Sequence, residues 1–237
     1  MVLSCVLDKS TKPSAKPADK TDVLTVFLTG NTLGELQPCG CSGGQLGGFD
    51  RRSAIFKSVP ASKRLTIDTG LLVEETSEQS LIKFNTIIQA FSLLDYDLVN
   101  LTEKDIEIAK ELGLSDSIGL LFNVIRPHRP ADVNMPAKFT KKFSLKGKTI
   151  AVTVASFDVK SAQTKHIKEL FAAQSDLRTV KILILNDCKG DVFDDIVKTR
   201  LVDCLVCPAE SDEPRIIDHP DKKPLIQIGR ASCRERV

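Results

Sequence analysis

The first half of the chain alternates short apolar runs with amphipathic stretches. Apolar runs of five or six residues predict buried strands at residues 23–28, 64–68, 97–101 and 119–124. Apolar residues recur every three to four positions at residues 49–59, 77–94 and 103–112, which is the spacing of one face of a helix. Strands that alternate with helices in this way predict α/β layers.

The second half opens with a different pattern. Apolar and polar residues alternate over residues 139–145, a turn at 146–148 contains Gly147, and an apolar run follows at 149–155. This arrangement is typical of a β-hairpin. Helices at 165–173 and 192–200 then alternate with strands at 180–186, 203–206 and 224–227. Because a hairpin pairs antiparallel, the expected fold class is α/β with mixed sheets rather than a purely parallel sheet.

The composition limits the range of functions. The 237 residues are 42% hydrophobic, which is enough for one substantial core or two small ones. A net charge of +2 leaves no basic excess to neutralise phosphates, and Trp is absent, so we expect no nucleic-acid partner. No apolar run is long enough to span a bilayer.

Both ends of the sequence differ in character from the rest. Residues 228–237 read IGRASCRERV, which matches the translation of a common sequencing adapter, so we exclude them and expect the natural domain, residues 22–227, to continue beyond them. Cys5 follows a Val-Leu-Ser stretch that resembles a bacterial lipobox, and residues 7–20, which come after it within the N-terminal segment 1–21, are rich in Lys, Pro and Ser. This composition predicts a disordered linker. We therefore expect a lipid anchor at Cys5 and a location in the bacterial periplasm or cell envelope; an ordinary disordered N-terminus is the alternative.

Several short segments resemble, in order, the metal-binding motifs of the 5′-nucleotidase and UDP-sugar hydrolase family of metallophosphoesterases. They are residues 29–35, 47–52 with a Gly-Gly-x-x-Arg-Arg pattern, 68–71, 96–105 with a Tyr-Asp start, 185–187 and 207–211. The resemblance covers about residues 22–227 and implies an αββα sandwich with mixed sheets. It also implies a site for two divalent metals at the carboxyl ends of the strands, where the family's metals activate a water and clamp a phosphate.

Most of the family's metal ligands are replaced in this sequence. By position, Asn31 and Leu71 stand where the family has aspartates, Leu33, Asp187, Ala209 and Ser211 stand where it has histidines, and Glu103 and Lys104 replace an Asn-His pair. Leu and Ala side chains have no lone pair to donate, and none of the three histidines falls in these segments. The resemblance therefore implies the fold without the two-metal hydrolysis.

Four cysteines offer a different chemistry. Cys39 and Cys41 lie in the first glycine-rich loop, Cys204 and Cys207 lie at the last similar segment, and in the family's fold these two loops face the same site. Four converging thiolates suit a zinc ion or an iron–sulfur cluster. Disulfide pairing in an oxidising compartment and unpaired structural thiols are the alternatives. Cys204 and Cys207 are an odd number of residues apart, so on a strand they point to opposite faces.

Three functional hypotheses follow. The first is a cell-envelope domain that lacks the hydrolysis and acts as a binding or redox-accessory module. The second is an active metal-dependent phosphoesterase with other oxygen ligands: Asn31, Glu35, Asp68, Glu103 and Asp187. It needs Asp68 to turn into the site. The third is a structural partner of a multihaem cytochrome c, because family members with a Pro-Cys-Gly-Cys loop, here residues 38–41, resemble lipoproteins associated with such cytochromes.

Overall fold

The computed structural model describes residues 3–6, 23–37, 48–128, 136–160, 163–171, 178–199, 201–208, 215–218 and 224–228. The first of its two sheets has five strands in sequence order: β1 (Leu3–Val6), β2 (Thr25–Thr29), β3 (Arg64–Asp68), β4 (Leu98–Asn100) and β5 (Asn123–Ile125). Strand β1 pairs antiparallel with β2, and the other neighbours pair parallel.

The second sheet has six strands. They are β6 (Lys138–Leu145), β7 (Lys148–Phe157), β8 (Arg178–Leu185), β9 (Cys204–Pro208), β10 (Arg215–Asp218) and β11 (Pro224–Ile228), in the order β10-β11-β9-β8-β7-β6. The two outer pairs are antiparallel, whereas β7, β8, β9 and β11 run parallel. The predicted hairpin is present as β6–β7, where Lys146 and Gly147 both have a positive φ, as a tight two-residue hairpin turn requires.

Six α-helices cover the sheets in the described part of the chain. They are α1 (Phe49–Lys57), α2 (Glu78–Leu93), α3 (Glu103–Glu111), α4 (Ile118–Leu121), α5 (Thr164–Phe171) and α6 (Asp191–Thr199). The Ser77 hydroxyl caps α2 by accepting from Ser80 N, and Thr102 caps α3 through a reciprocal capping box. None of the described helices is long and apolar enough to cross a membrane.

The core consists of three apolar layers that define an αββα sandwich. In the central layer, residues of the first sheet such as Leu28 and Ile67 pack against residues of the second such as Val154 and Ile184. A second cluster lies between the first sheet and α1–α4, and a third lies between the second sheet and α5–α6. Since successive strand residues point to opposite faces, each sheet serves two layers. The predicted αββα sandwich with mixed sheets is confirmed.

One stretch differs from the prediction. Residues 119–124 were expected to form one strand, but the chain there forms the end of α4 and the start of β5, because a short apolar run does not distinguish a buried helix from a strand. Residues 3–6, which belong to the lipobox-like start, form β1 and pair with β2, with Cys5 opposite Val26. The expected linker, residues 7–20, lies outside the described ranges.

Candidate functional site

A cleft opens where the carboxyl ends of strands from both sheets meet. Its volume is about 100 Å³, and it is lined by the following described residues: Asn31, Thr69, Leu71, Asn100, Thr102, Pro127, Ile184, Leu185, Asn186, Cys207 and Pro208. These residues follow or end β2, β3, β4, β5, β8 and β9. The cleft therefore occupies the edge at which sheets of α/β proteins usually place their ligands.

Two loops form the wall of the cleft on the side of the first sheet. The loop after β2 donates to the loop after β3 through Asn31 N to Gly70 O at 2.9 Å and Leu33 N to Leu71 O at 3.2 Å. Asn31, Leu33 and Leu71 all have a positive φ, between 51° and 60°. Such a conformation is uncommon for leucine and is retained where surrounding contacts fix it. Gly70 has a φ of 90°, and a Cβ there would overlap the backbone carbonyl of Asn100.

A buried carboxylate supports this wall from beneath. Asp105 Oδ2 accepts from Leu71 N at 2.9 Å, Thr102 N at 3.0 Å and Thr102 Oγ1 at 2.6 Å, while Oδ1 accepts from Leu72 N at 2.9 Å. Burial raises the pKa of Asp105, and the hydrogen bonds from Thr102 and the two leucine amides oppose that increase. Asp105 therefore joins the start of α3 to the loop that shapes the cleft.

Asp68 belongs to a separate polar network on the helix side of the first sheet. Its Oδ2 accepts from Thr29 Oγ1 at 2.6 Å and lies 3.8 Å from Arg52 Nη1, which in turn donates to the Tyr96 hydroxyl at 3.2 Å. Desolvation raises the pKa of Asp68, and the Arg52 guanidinium partly opposes it. Burial also raises the pKa of Tyr96. Asp68 thus faces α1, which is not the orientation that the oxygen-ligand hypothesis requires.

The remaining oxygen candidates do not converge on the cleft. Of the five residues in that hypothesis, only Asn31 is among the described residues that line the cleft. Glu103 is exposed at the start of α3, and Glu35 and Asp187 are half-buried in loops. Among the described residues, no three His, Cys, Asp or Glu side chains are grouped so that they could hold a metal ion.

The described cysteines divide between the two alternatives, a disulfide for Cys207 and a buried structural thiol for Cys204. Cys207 forms a disulfide with Cys188, which lies between β8 and α6. Cys204 points to the opposite face of β9 and packs in the central layer between the sheets. Cys204 and Cys207 therefore do not face a common site, as their odd spacing predicts. Cys39 and Cys41 lie outside the described residues, so their part in a zinc or iron–sulfur site stays a prediction.

Sequence reasoning missed the residues that give the cleft its polarity. Asn100 is 3% exposed, its Nδ2 donates to Thr69 O at 3.0 Å, and its Oδ1 has no hydrogen-bond partner within the described ranges. Asn186 donates to Asp158 Oδ1 at 2.8 Å. Asn100 shares a strand face with Leu98, which packs between the sheets, so its side chain points into the space between them. A polar residue at the carboxyl end of an apolar strand was the available signal.

The donor set of the cleft does not suit two divalent metals. Such centres use carboxylate, imidazole or thiolate ligands. The described lining residues instead supply amides, hydroxyls and aliphatic groups, and the lining cysteine is in a disulfide. The described side chains therefore do not fit the pair of metals that the resemblance implies.

The sequence matches no protein-family model and no curated protein, but its structure matches several solved ones. Thermus thermophilus sulfate thiohydrolase SoxB is 13% identical with a TM-score of 0.62, over 91% of this chain and 53% of that protein. A 5′-nucleotidase precursor from Thermus thermophilus is 17% identical with a TM-score of 0.53, over 87% of this chain and 48% of that protein. Haemophilus influenzae NAD nucleotidase is 12% identical with a TM-score of 0.53, over 87% of this chain and 44% of that protein.

These three similarities establish the fold and nothing finer. All three proteins have the metallophosphoesterase fold, and this chain has it too. The chain spans about half the length of each of these proteins.

Proposed function

We propose that this chain is a metallophosphoesterase-fold domain that does not carry out two-metal hydrolysis and acts instead as a binding module of the cell envelope. The observation that carries this proposal is the lining of the cleft at the carboxyl ends of the strands. Among the described lining residues there is no carboxylate and no imidazole. The described residues at this usual position of an α/β active site are therefore suited to hydrogen bonding and apolar contact.

The physical argument concerns the nucleophile. In a two-metal site the cations lower the pKa of a bound water and neutralise the charge that develops on the phosphate. Asn31 and Leu71 line the cleft here as a neutral amide and an aliphatic group. Two buried carboxylates lie near the cleft, and both already have partners. Asp68 contacts Thr29 and Arg52. Asp105 accepts hydrogen bonds from backbone amides. A phosphate ester in this cleft meets no described residue that we can assign as a metal ligand or a general base.

The location in the cell envelope is part of the same proposal. The Cys188–Cys207 disulfide supports it, because disulfides persist in oxidising compartments and are rare in the cytosol. The lipobox-like residues before Cys5 support membrane anchoring. A redox-accessory role, with a multihaem cytochrome c as partner, is the second candidate, and the position of the disulfide at the wall of the cleft favours it.

Metal content and hydrolysis together test the proposal. The chain is purified without chelator, its bound Zn, Mn and Fe are quantified, and hydrolysis of p-nitrophenyl phosphate and AMP is measured with added Mn²⁺. We expect less than stoichiometric metal and no hydrolysis above the background of an Asp68→Asn variant. Stoichiometric metal together with hydrolysis that the Asp68→Asn change abolishes would establish the phosphoesterase hypothesis and overturn ours.

A further inference from the structure

From the geometry of the cleft we infer its ligand class: a compact, uncharged, largely apolar group that carries one N–H or O–H donor, which it gives to Asn100 Oδ1. This inference rests on the proposed function, because it assigns a ligand to the same cleft. The inferred ligand differs in charge from the substrates of a phosphoesterase, since a phosphate monoester is an anion whose phosphate oxygens act as hydrogen-bond acceptors.

The unpartnered Asn100 oxygen is the first step of the argument. The side chain is 3% exposed, and Oδ1 has no hydrogen-bond partner among the described residues. The orientation of the amide is fixed, because Nδ2 donates to Thr69 O at 3.0 Å and a flipped amide would place two acceptors against each other. A buried acceptor without a partner is destabilising. A ligand that donates a hydrogen bond here removes that cost.

The other polar groups of the cleft already have partners. Thr102 Oγ1 donates to Asp105 Oδ2 at 2.6 Å, and Thr69 Oγ1 donates to Thr29 O at 3.1 Å. Both polar atoms of the Asn186 side chain are used, since Nδ2 donates to Asp158 and Oδ1 accepts from Val159 N at 3.0 Å. Among the described side chains that line the cleft, Asn100 Oδ1 is therefore the buried acceptor without a partner.

The rest of the wall is apolar and uncharged. It consists of Leu71, Pro127, Ile184, Leu185 and Pro208, with the disulfide sulfur of Cys207. No cation is among the described lining residues, and the buried carboxyl of Asp105 lies directly behind Thr102. Against these described residues an anion would lose its hydration without gaining a counter-charge, so the described lining disfavours phosphate as a ligand.

Size and hydration set the affinity. A cavity of roughly 150 Å³ accommodates benzene. The 100 Å³ of this cleft therefore suits a ring of about five non-hydrogen atoms. Water can also donate to Asn100 Oδ1, so the ligand's advantage over water comes from burial of its apolar body. The hydrogen bond then determines which apolar groups bind.

Pyrrole and furan form a matched pair of probes. Both are uncharged five-membered rings, but pyrrole carries an N–H donor and furan carries an oxygen in its place. Binding of each to the ¹⁵N-labelled chain is followed by NMR, using the Asn100 side-chain amide as the reporter of the site. We expect pyrrole to bind about tenfold more tightly than furan, because furan leaves the acceptor unpaired. Inorganic phosphate and Mn²⁺ are expected to leave the Asn100 signal unchanged.

Variants assign the effect to the residue. Asn100→Leu is expected to remove the preference for pyrrole, whereas Asn123→Ser, an exposed asparagine on β5, is expected to keep it. If Asn100→Leu fails to fold, the comparison of the two probes on the unaltered chain still decides. Equal binding of furan and pyrrole, or no binding of either, overturns the inference and leaves the proposed function standing. A change of the Asn100 signal with Mn²⁺ overturns both, whereas a shift with phosphate alone overturns the inference.

Discussion

Replacement of Asp105 is expected to destabilise the protein strongly through the wall of the cleft. Asp105→Ala removes the acceptor for the backbone amides of Leu71, Leu72 and Thr102. Each buried donor without a partner costs about 1–3 kcal/mol. With values at the low end of that range for the three donors, the free energy of unfolding should fall by about 3 kcal/mol, a large part of the roughly 5–15 kcal/mol typical of a domain.

The isosteric variant Asp105→Asn separates lost hydrogen bonds from lost volume. Its carbonyl oxygen can take the position of Oδ2 and keep three of the four hydrogen bonds, whereas its NH₂ group faces Leu72 N, donor against donor. We therefore expect a cost of about 2 kcal/mol, from one orphaned amide. Glu107→Ala, an exposed change on the same helix, should stay within about 0.5 kcal/mol.

Urea unfolding followed by far-UV circular dichroism measures these differences, since the chain has no tryptophan to report by fluorescence. The reasoning requires the order Asp105→Ala, then Asp105→Asn, then Glu107→Ala, at unchanged m-value. A cost below about 1 kcal/mol for Asp105→Ala would show that the wall of the cleft does not depend on this carboxylate.

Three further predictions concern glycine, sulfur and pH. Gly70→Ala should cost about 3 kcal/mol or more by unfolding, whereas Gly113→Ala, also at positive φ but in open space, should cost about 1 kcal/mol; equal costs would contradict the close approach at Gly70. Reduction of the Cys188–Cys207 disulfide, with a sequence separation of 19, should lower stability by about 3 kcal/mol, and the Cys188→Ala variant should become insensitive to reductant. Burial raises the pKa of Asp68 above 3.8, so the folded chain holds this proton more firmly than the unfolded one and stability should fall as pH rises through that window. Urea midpoints between about pH 4 and pH 7 should fall less steeply in Asp68→Asn, and parallel profiles would contradict the assignment.

The layers of the fold could be predicted because they depend on local patterns. Residues such as Leu28 and Ile67 lie in apolar runs whose alternation places them between the sheets, and the hairpin turn at Lys146 has its own sequence signal. The positive φ of Leu33 and Leu71 could not be predicted, because leucine has no preference for it and the two loops impose it on each other.

The candidate site was predicted less well than the fold. The absence of the family's ligands was visible in the sequence, but the role of Asn100 depends on the face of β4 it occupies and on the partners already taken by its neighbours. The pairing of Cys188 with Cys207 was missed because Cys188 lies outside the similar segments. Both cysteines lie at the ends of adjacent parallel strands, β8 and β9, so their proximity at one sheet edge could have been inferred.

The disulfide also closes a covalent ring that contains all of α6, since Cys188 precedes that helix and Cys207 follows it on β9. A protease that cuts once between these two cysteines therefore does not release either part of the chain. The products of limited digestion there should migrate as one species without reductant and as two with it. Damage to this helix in an environment rich in proteases thus leaves both halves of the second sheet attached to each other.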